Sequence, residues 1–242
     1  TWRWWIENKG NLKVTIDWDD AWNVASSFKI AGTLTQGDHL MRLYKTEIPV
    51  TAGGVLKVVY KGAAQSTVEA KLSTTSSTTP DVTLSDPTVT TENGWTIANY
   101  DLSSLNGQTV YMIALNLKAG AEVSNYSMNL GEVAVLPANY TPAALEVSNL
   151  ATKSVLGESK GDLRLTWDYT YNNDFDHFDI YTVTADGTRK LVGQTRDEAF
   201  YVPTFERNGL DDYVNVELVP VMKDMSEGAK QTLKVDYPKA TA

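Results

Sequence analysis

Apolar and polar residues alternate with a period of two in one short run after another, and this constrains the chain more than any other feature. Successive side chains of a strand point to opposite faces, so such a run presents one apolar face to a core. Leu163, Leu165 and Trp167 fall on one side of their run, and Phe178, Ile180 and Thr182 on one side of the next, with Asp179 and Tyr181 opposite. No stretch of twelve residues carries an apolar stripe of helical period. The fold class that follows is all-β.

The pattern predicts strands over Leu12–Asp17, Ser27–Ala31, Leu40–Ile48, Val55–Tyr60, Ser66–Lys71, Thr96–Tyr100, Val110–Leu117 and Glu132–Leu136. A second series covers Leu145–Val147, Asp162–Tyr169, His177–Thr184, Lys190–Arg196, Ala199–Val202, Asn215–Met222 and Gln231–Tyr237. Two prolines in Pro137-Ala138-Asn139-Tyr140-Thr141-Pro142 interrupt ladder pairing between the series. The expected domains are residues 1–137 and 143–242, joined by a linker at 138–142. Seven short strands in about 95 residues suit a fibronectin-type sandwich. Asp186-Gly187 marks a tight hairpin within it, and Trp167 is its expected central core residue. Ser73–Pro87, almost all Ser, Thr, Asp and Pro, reads as a long solvated loop inside the first domain.

The chain has 242 residues, a net charge of −9 and no cysteine. Phosphate recognition needs clustered Lys and Arg, so a nucleic-acid partner is excluded. Disulfides, thiolate metal sites and cysteine nucleophiles are excluded as well. No apolar run reaches the roughly 18 residues that span a bilayer. The chain starts at Thr1, without an initiator Met, which reads as a processing boundary and the chain as a fragment.

Several short motifs carry a family likeness. They are Trp2-Arg3-Trp4-Trp5, Ile16-Asp17-Trp18-Asp19-Asp20-Ala21-Trp22-Asn23, Ser26 to Gly32, Leu43 to Thr46, Tyr100 to Ser103 and Tyr126 to Glu132. Together they resemble the region after the catalytic barrel in family 85 glycoside hydrolases, the endo-β-N-acetylglucosaminidases. The resemblance implies a galactose-binding-like jelly roll followed by a fibronectin type III-like sandwich. It implies a non-catalytic accessory region that supports an N-terminal barrel of the same polypeptide, in an extracellular or surface-bound bacterial protein acting on N-glycans. An independent carbohydrate-binding or adhesin module is the alternative.

Sugars offer C–H faces that stack on aromatic rings, which singles out Trp18, Trp22 and Trp95, with Arg42 as a polar partner. Core packing is the competing role for such large rings. Asp17, Asp19 and Asp20 form a dense acidic cluster with two readings, a solvated turn or, with Glu132, a structural Ca2+ site. No cofactor is required in either case. Trp2, Trp4 and Trp5 need cover, either from the barrel or from their own domain. His39 and His177, separated across the two domains, support neither a zinc site nor a catalytic relay and read as solvent-exposed packing. Asn215-Val216-Glu217 matches the family's Asn-x-Glu catalytic triplet, but it falls on a strand and reads as an exposed polar face.

Overall fold

The structure is a computed structural model that describes residues 5–7, 10–22, 26–75, 78–153, 160–206 and 213–236. The chain divides after Tyr140 into two compact units. Both are built from antiparallel strands packed as sheets, and the only helical element among the described residues is a single 3-10 turn, Ser103–Leu105. No helix among those residues is long and apolar enough to cross a membrane.

The first unit holds β1 (Trp5–Ile6), β2 (Lys13–Asp17), β3 (Ser27–Leu34), β4 (Gly37–Pro49), β5 (Val55–Gly62) and β6 (Thr67–Ser73). It continues with β7 (Val82–Leu84), β8 (Thr88–Glu92), β9 (Trp95–Asp101), β10 (Thr109–Ala119) and β11 (Val123–Leu136). One sheet has the order β1-β4-β10-β6-β7 and the other β2-β3-β11-β5-β9-β8. Alternation explains the core between them: Leu56 and Val58 of β5, Ala98 and Tyr100 of β9, and Leu115 and Leu117 of β10 are all buried in it. The Thr-rich β8 ends its sheet, where one face can stay in water.

Besides the added strand β8 and a later strand, Val147–Thr152, where Leu145–Val147 is expected, three features differ from the sequence expectation. Strand β11 begins at Val123 rather than Glu132, and its register with β5 shifts between Leu130 and Glu132. The Ser73–Pro87 segment is more than a solvated loop, because Val82–Leu84 pairs with β6 and Leu84 joins the core. The same segment is tied down elsewhere, since Asp81 accepts the Thr74 N–H at 2.7 Å and the Thr78 carbonyl accepts Arg42 Nε at 2.7 Å. Finally, the chain entry is a strand. Trp5 pairs with Arg42 and Ile6 with Met41, and Ile6 is buried in the core of the first unit.

The second unit holds β12 (Val147–Thr152), β13 (Lys160–Tyr169), β14 (Phe175–Val183), β15 (Arg189–Thr195), β16 (Ala199–Glu206), β17 (Tyr213–Met222) and β18 (Gln231–Asp236). Its sheets run β12-β13-β16 and β15-β14-β17-β18. Leu163, Leu165, Trp167, Phe178 and Ile180 fill the core between them. The Trp167 ring meets Phe178 edge to face at 5.4 Å, a favoured aromatic geometry. Gly187 adopts φ +86°, and the Thr184 N–H donates to the Thr188 carbonyl to close the β14–β15 hairpin.

Candidate functional site

The site is built where β2 ends. Asp17 is the last residue of β2, and its Oδ1 accepts the N–H groups of Asp19 and Asp20 at 3.0 and 3.1 Å. This is the self-capping turn that Asp favours. Asp17 Oδ2 takes one hydrogen of Asn129 Nδ2 at 3.0 Å, and Ser27 Oγ takes the other at 2.8 Å. The Ser27 hydroxyl then donates to the Asp20 carbonyl at 2.5 Å. Strands β2, β3 and β11 are neighbours in that order, so Asp17, Ser27 and Asn129 meet across one sheet. The Asn129 hydrogen bond first, then the two backbone N–H groups, hold the Asp17 carboxyl below the usual carboxylate range.

Lys61 on β5 closes the turn from the other side. Its ammonium donates to both oxygens of Asp20, at 3.0 and 2.8 Å, and sits 5.6 Å from the centroid of the Trp95 ring. Trp95 in turn meets Trp22 edge to face at 6.1 Å. Gly131 makes this pairing possible, for a Cβ there would lie 2.5 Å from the Trp22 Cβ and 2.8 Å from Trp95 Cζ3. A glycine inside a strand, at a register shift, marks such a close approach.

The aromatic candidates therefore separate. Trp18 is 71% exposed and offers a free ring, whereas Trp22 and Trp95 are 1% and 4% exposed and offer none. Arg42 lies on β4, in the other sheet of the unit, where Nη1 contacts the Glu7 carboxylate at 2.8 Å and Nε binds the Thr78 carbonyl. It anchors two segments of its own unit and is not grouped with the tryptophans. Trp2 and Trp4 lie outside the described residues, and Trp5 is described by its backbone pairing alone.

The acidic residues do not fit a Ca2+ ion. Such an ion takes six to eight oxygens and is anchored by carboxylates gathered round one point. Both oxygens of Asp17 already accept N–H groups, and both of Asp20 accept Lys61. Glu132 is paired with the buried Lys57 ammonium at 2.6 Å. No three of Asp17, Asp19, Asp20 and Glu132 bring carboxylate oxygens within 4.8 Å of one another.

Both histidines are buried rather than solvent-exposed. His39 lies between the Thr35 hydroxyl at 2.9 Å and the Leu117 carbonyl at 3.1 Å. His177, on β14, places Nδ1 2.8 Å from Asp176 Oδ2 and Nε2 3.0 Å from Asp179 Oδ1. Burial alone would lower its pKa, but hydrogen bonds to Asp176 and Asp179 outweigh that and raise it to about 9. The imidazolium is held between two carboxylates, a bridge that pins side chains together. Glu217 of the Asn215-Val216-Glu217 triplet is likewise no exposed residue. It is 8% exposed and clasped by Arg189 and Lys230, each at 2.6 Å. Burial pushes its carboxyl up, and the two cations overcome that and bring it below its ordinary value. A carboxylate neutralised in this way is poorly suited to proton transfer.

Comparison with known proteins follows the division of the chain. Residues 145–239 match the family model described as GH85 endohexosaminidases, C-terminal domain. No curated protein sequence matches the chain. Among solved structures, the glycoside hydrolase domain of Endo-D from Streptococcus pneumoniae R6 aligns at 25% identity with a TM-score of 0.67. That alignment covers 98% of this chain and 37% of the Endo-D chain, so the chain spans little more than a third of that protein's length. A β-1,2-glucanase from Parabacteroides distasonis aligns at 16% identity with a TM-score of 0.47, over 98% of this chain and 37% of its own. A β-glucuronidase from Ruminococcus gnavus aligns at 11% identity with a TM-score of 0.29, over 84% of this chain and 36% of its own.

Proposed function

We propose that this chain, whose residues 145–239 match the GH85 endohexosaminidase C-terminal domain model, is the non-catalytic accessory region of an endo-β-N-acetylglucosaminidase acting on N-glycans. The match over 145–239 carries the reading, and the Endo-D likeness over 98% of the chain extends it to the first unit. In this reading the first unit is a galactose-binding-like jelly roll and the second a fibronectin type III-like sandwich. Both support a catalytic barrel of the same polypeptide, outside the cell. The polar groups of the chain agree with a supporting role. Asp17, Asp20, Glu132, Glu217 and His177 are each engaged by a neighbouring side chain, as groups that hold a fold together are.

The test is N-glycan release from a glycoprotein such as ribonuclease B, followed by mass spectrometry. The purified chain is expected to release nothing. A polypeptide extending upstream of Thr1 through a barrel is expected to release the glycan and leave one N-acetylglucosamine on the protein. Release by the 242-residue chain alone overturns the proposal.

A further inference from the structure

The second unit carries a face that neither the accessory reading nor the family match assigns. Strands β13 and β16 pair with Arg164 opposite Tyr201 and Thr166 opposite Ala199. Their neighbours Leu165 and Phe200 turn the other way, Leu165 into the core and Phe200 against it. Period-two geometry therefore puts Arg164, Thr166, Ala199 and Tyr201 together on the outer face of a three-stranded sheet. A groove of about 450 Å3 runs along them. Thr166 and Ala199 are short and leave it open, and Tyr201 lines it with Arg164.

Three observations define what the groove suits. Tyr201 is 52% exposed even with the Arg164 guanidinium 4.9 Å from its ring centroid, so one ring surface remains free. Arg164 Nε donates to Asp162 Oδ2 at 3.0 Å while its guanidinium lies over one face of the Tyr201 ring, so N–H donors and a carboxylate acceptor sit beside the ring. Asp162 also neutralises that cation, and the chain as a whole is at −9, so nothing here attracts an anion. An aromatic platform with a donor and acceptor pair beside it, neutral overall, matches a pyranose. The C–H face of the sugar stacks on the ring, and adjacent hydroxyls find a donor and an acceptor.

We propose that this face is a binding subsite for a neutral pyranose of an oligosaccharide, stacked on Tyr201 and hydrogen-bonded by Arg164 and Asp162. It goes beyond the accessory role and stands or falls independently of it. The site belongs wholly to the second unit and uses none of the first unit's tryptophans. Its recognition is modest, a single ring and a pair of polar groups, as befits a contact that supplements binding elsewhere.

The experiment is an NMR titration of the 15N-labelled 242-residue chain with mannotriose and, separately, N,N′-diacetylchitobiose. The expected result is saturable shifts for amides of β13 and β16 with at least one sugar. Tyr201→Phe is expected to keep the affinity, and Tyr201→Ala to weaken it by roughly tenfold, the share of about one stacking contact. Adding Arg164→Gln to Tyr201→Phe is expected to weaken binding relative to Tyr201→Phe alone. No shift with either sugar overturns the proposal, as does unchanged affinity in Tyr201→Ala. Binding that maps to Trp18 and vanishes in Trp18→Ala overturns it too. The glycan-release assay reads the accessory role separately, so failure of one does not imply failure of the other.

Discussion

Gly131 has no side chain, yet it determines where two large side chains sit. Its missing Cβ is the space in which Trp22 and Trp95 approach β11, with would-be contacts of 2.5 and 2.8 Å. Overpacking a filled site forces neighbours off their preferred rotamers and costs about 2 kcal/mol. Gly131→Ala is therefore expected to lower the urea midpoint of the first unit and shift tryptophan fluorescence. Gly94→Ala is the control, since its nearest neighbour is the flexible Lys61 Cε at 3.6 Å, although its φ of +80° adds a smaller backbone cost. His177 gives the second prediction at this scale. Its folded pKa of about 9 lies above the ordinary 6.5, so its stabilisation is fully present below pH 6.5 and is lost as pH rises through 9. The difference corresponds to on the order of 3 kcal/mol. Denaturant midpoints between pH 6 and 10 should fall accordingly, and His177→Gln should flatten that dependence. A wild-type profile with no slope between 6.5 and 9 speaks against the bridge to Asp176 and Asp179.

At the scale of elements, the β14–β15 hairpin shows how much a short turn contributes. Gly187 takes φ +86°, and Asp186 accepts the Thr188 N–H at 3.0 Å and the Thr184 hydroxyl. The Thr184 bond first, then those from Thr188, bring the Asp186 carboxyl down to about 2. Gly187→Ala is expected to destabilise the second unit by about 1 kcal/mol, the ordinary cost of a side chain in left-handed backbone. Loss of amide protection confined to β14 and β15 is the observation that checks it. This hairpin was legible in the sequence because Asp-Gly states its geometry locally. The strands with clean alternation were legible for the same reason, down to the inward set Leu163, Leu165 and Trp167. Other elements were not. Val82–Leu84 is too short to show a period, and β11 is split by Gly131, so only its last five residues stood out as a strand. The candidate site was legible only in part. Asp17, Asp19 and Asp20 are adjacent in sequence, but the groups that satisfy them, Asn129 and Lys61, lie 112 and 41 residues away. The Leu117 carbonyl that faces His39 lies 78 residues away, and Arg189 and Lys230 lie 28 and 13 residues from Glu217, which no local pattern announces. The partners of His177, by contrast, are its sequence neighbours Asp176 and Asp179.

At the scale of the whole molecule, the question is whether the two units are domains in the physical sense, able to fold alone. Each has a core drawn from both of its own sheets, and the two apolar clusters share no residue. Sandwiches of about 140 and 100 residues are of ordinary size for independent folding. The ties that fix the chain entry, Ile6 in the core and the Glu7 N–H on the Leu40 carbonyl at 2.9 Å, are made inside the first unit. The same holds for the start of the second, where Asp174 accepts the Ala143 N–H at 2.9 Å and Asn172 donates to the Ala143 and Ala144 carbonyls at 3.3 Å. Residues 1–140 and 141–242, expressed separately, are therefore expected to give β-type circular dichroism and one cooperative urea transition each. The pH dependence of His177 should appear in the second piece, and the Gly131→Ala effect in the first. If either piece is unfolded by itself while the full chain is folded, the units depend on one another and the chain is a single folding domain. Independent folding instead makes the second unit a self-sufficient module, on which the Tyr201 face can be assayed without the rest of the chain.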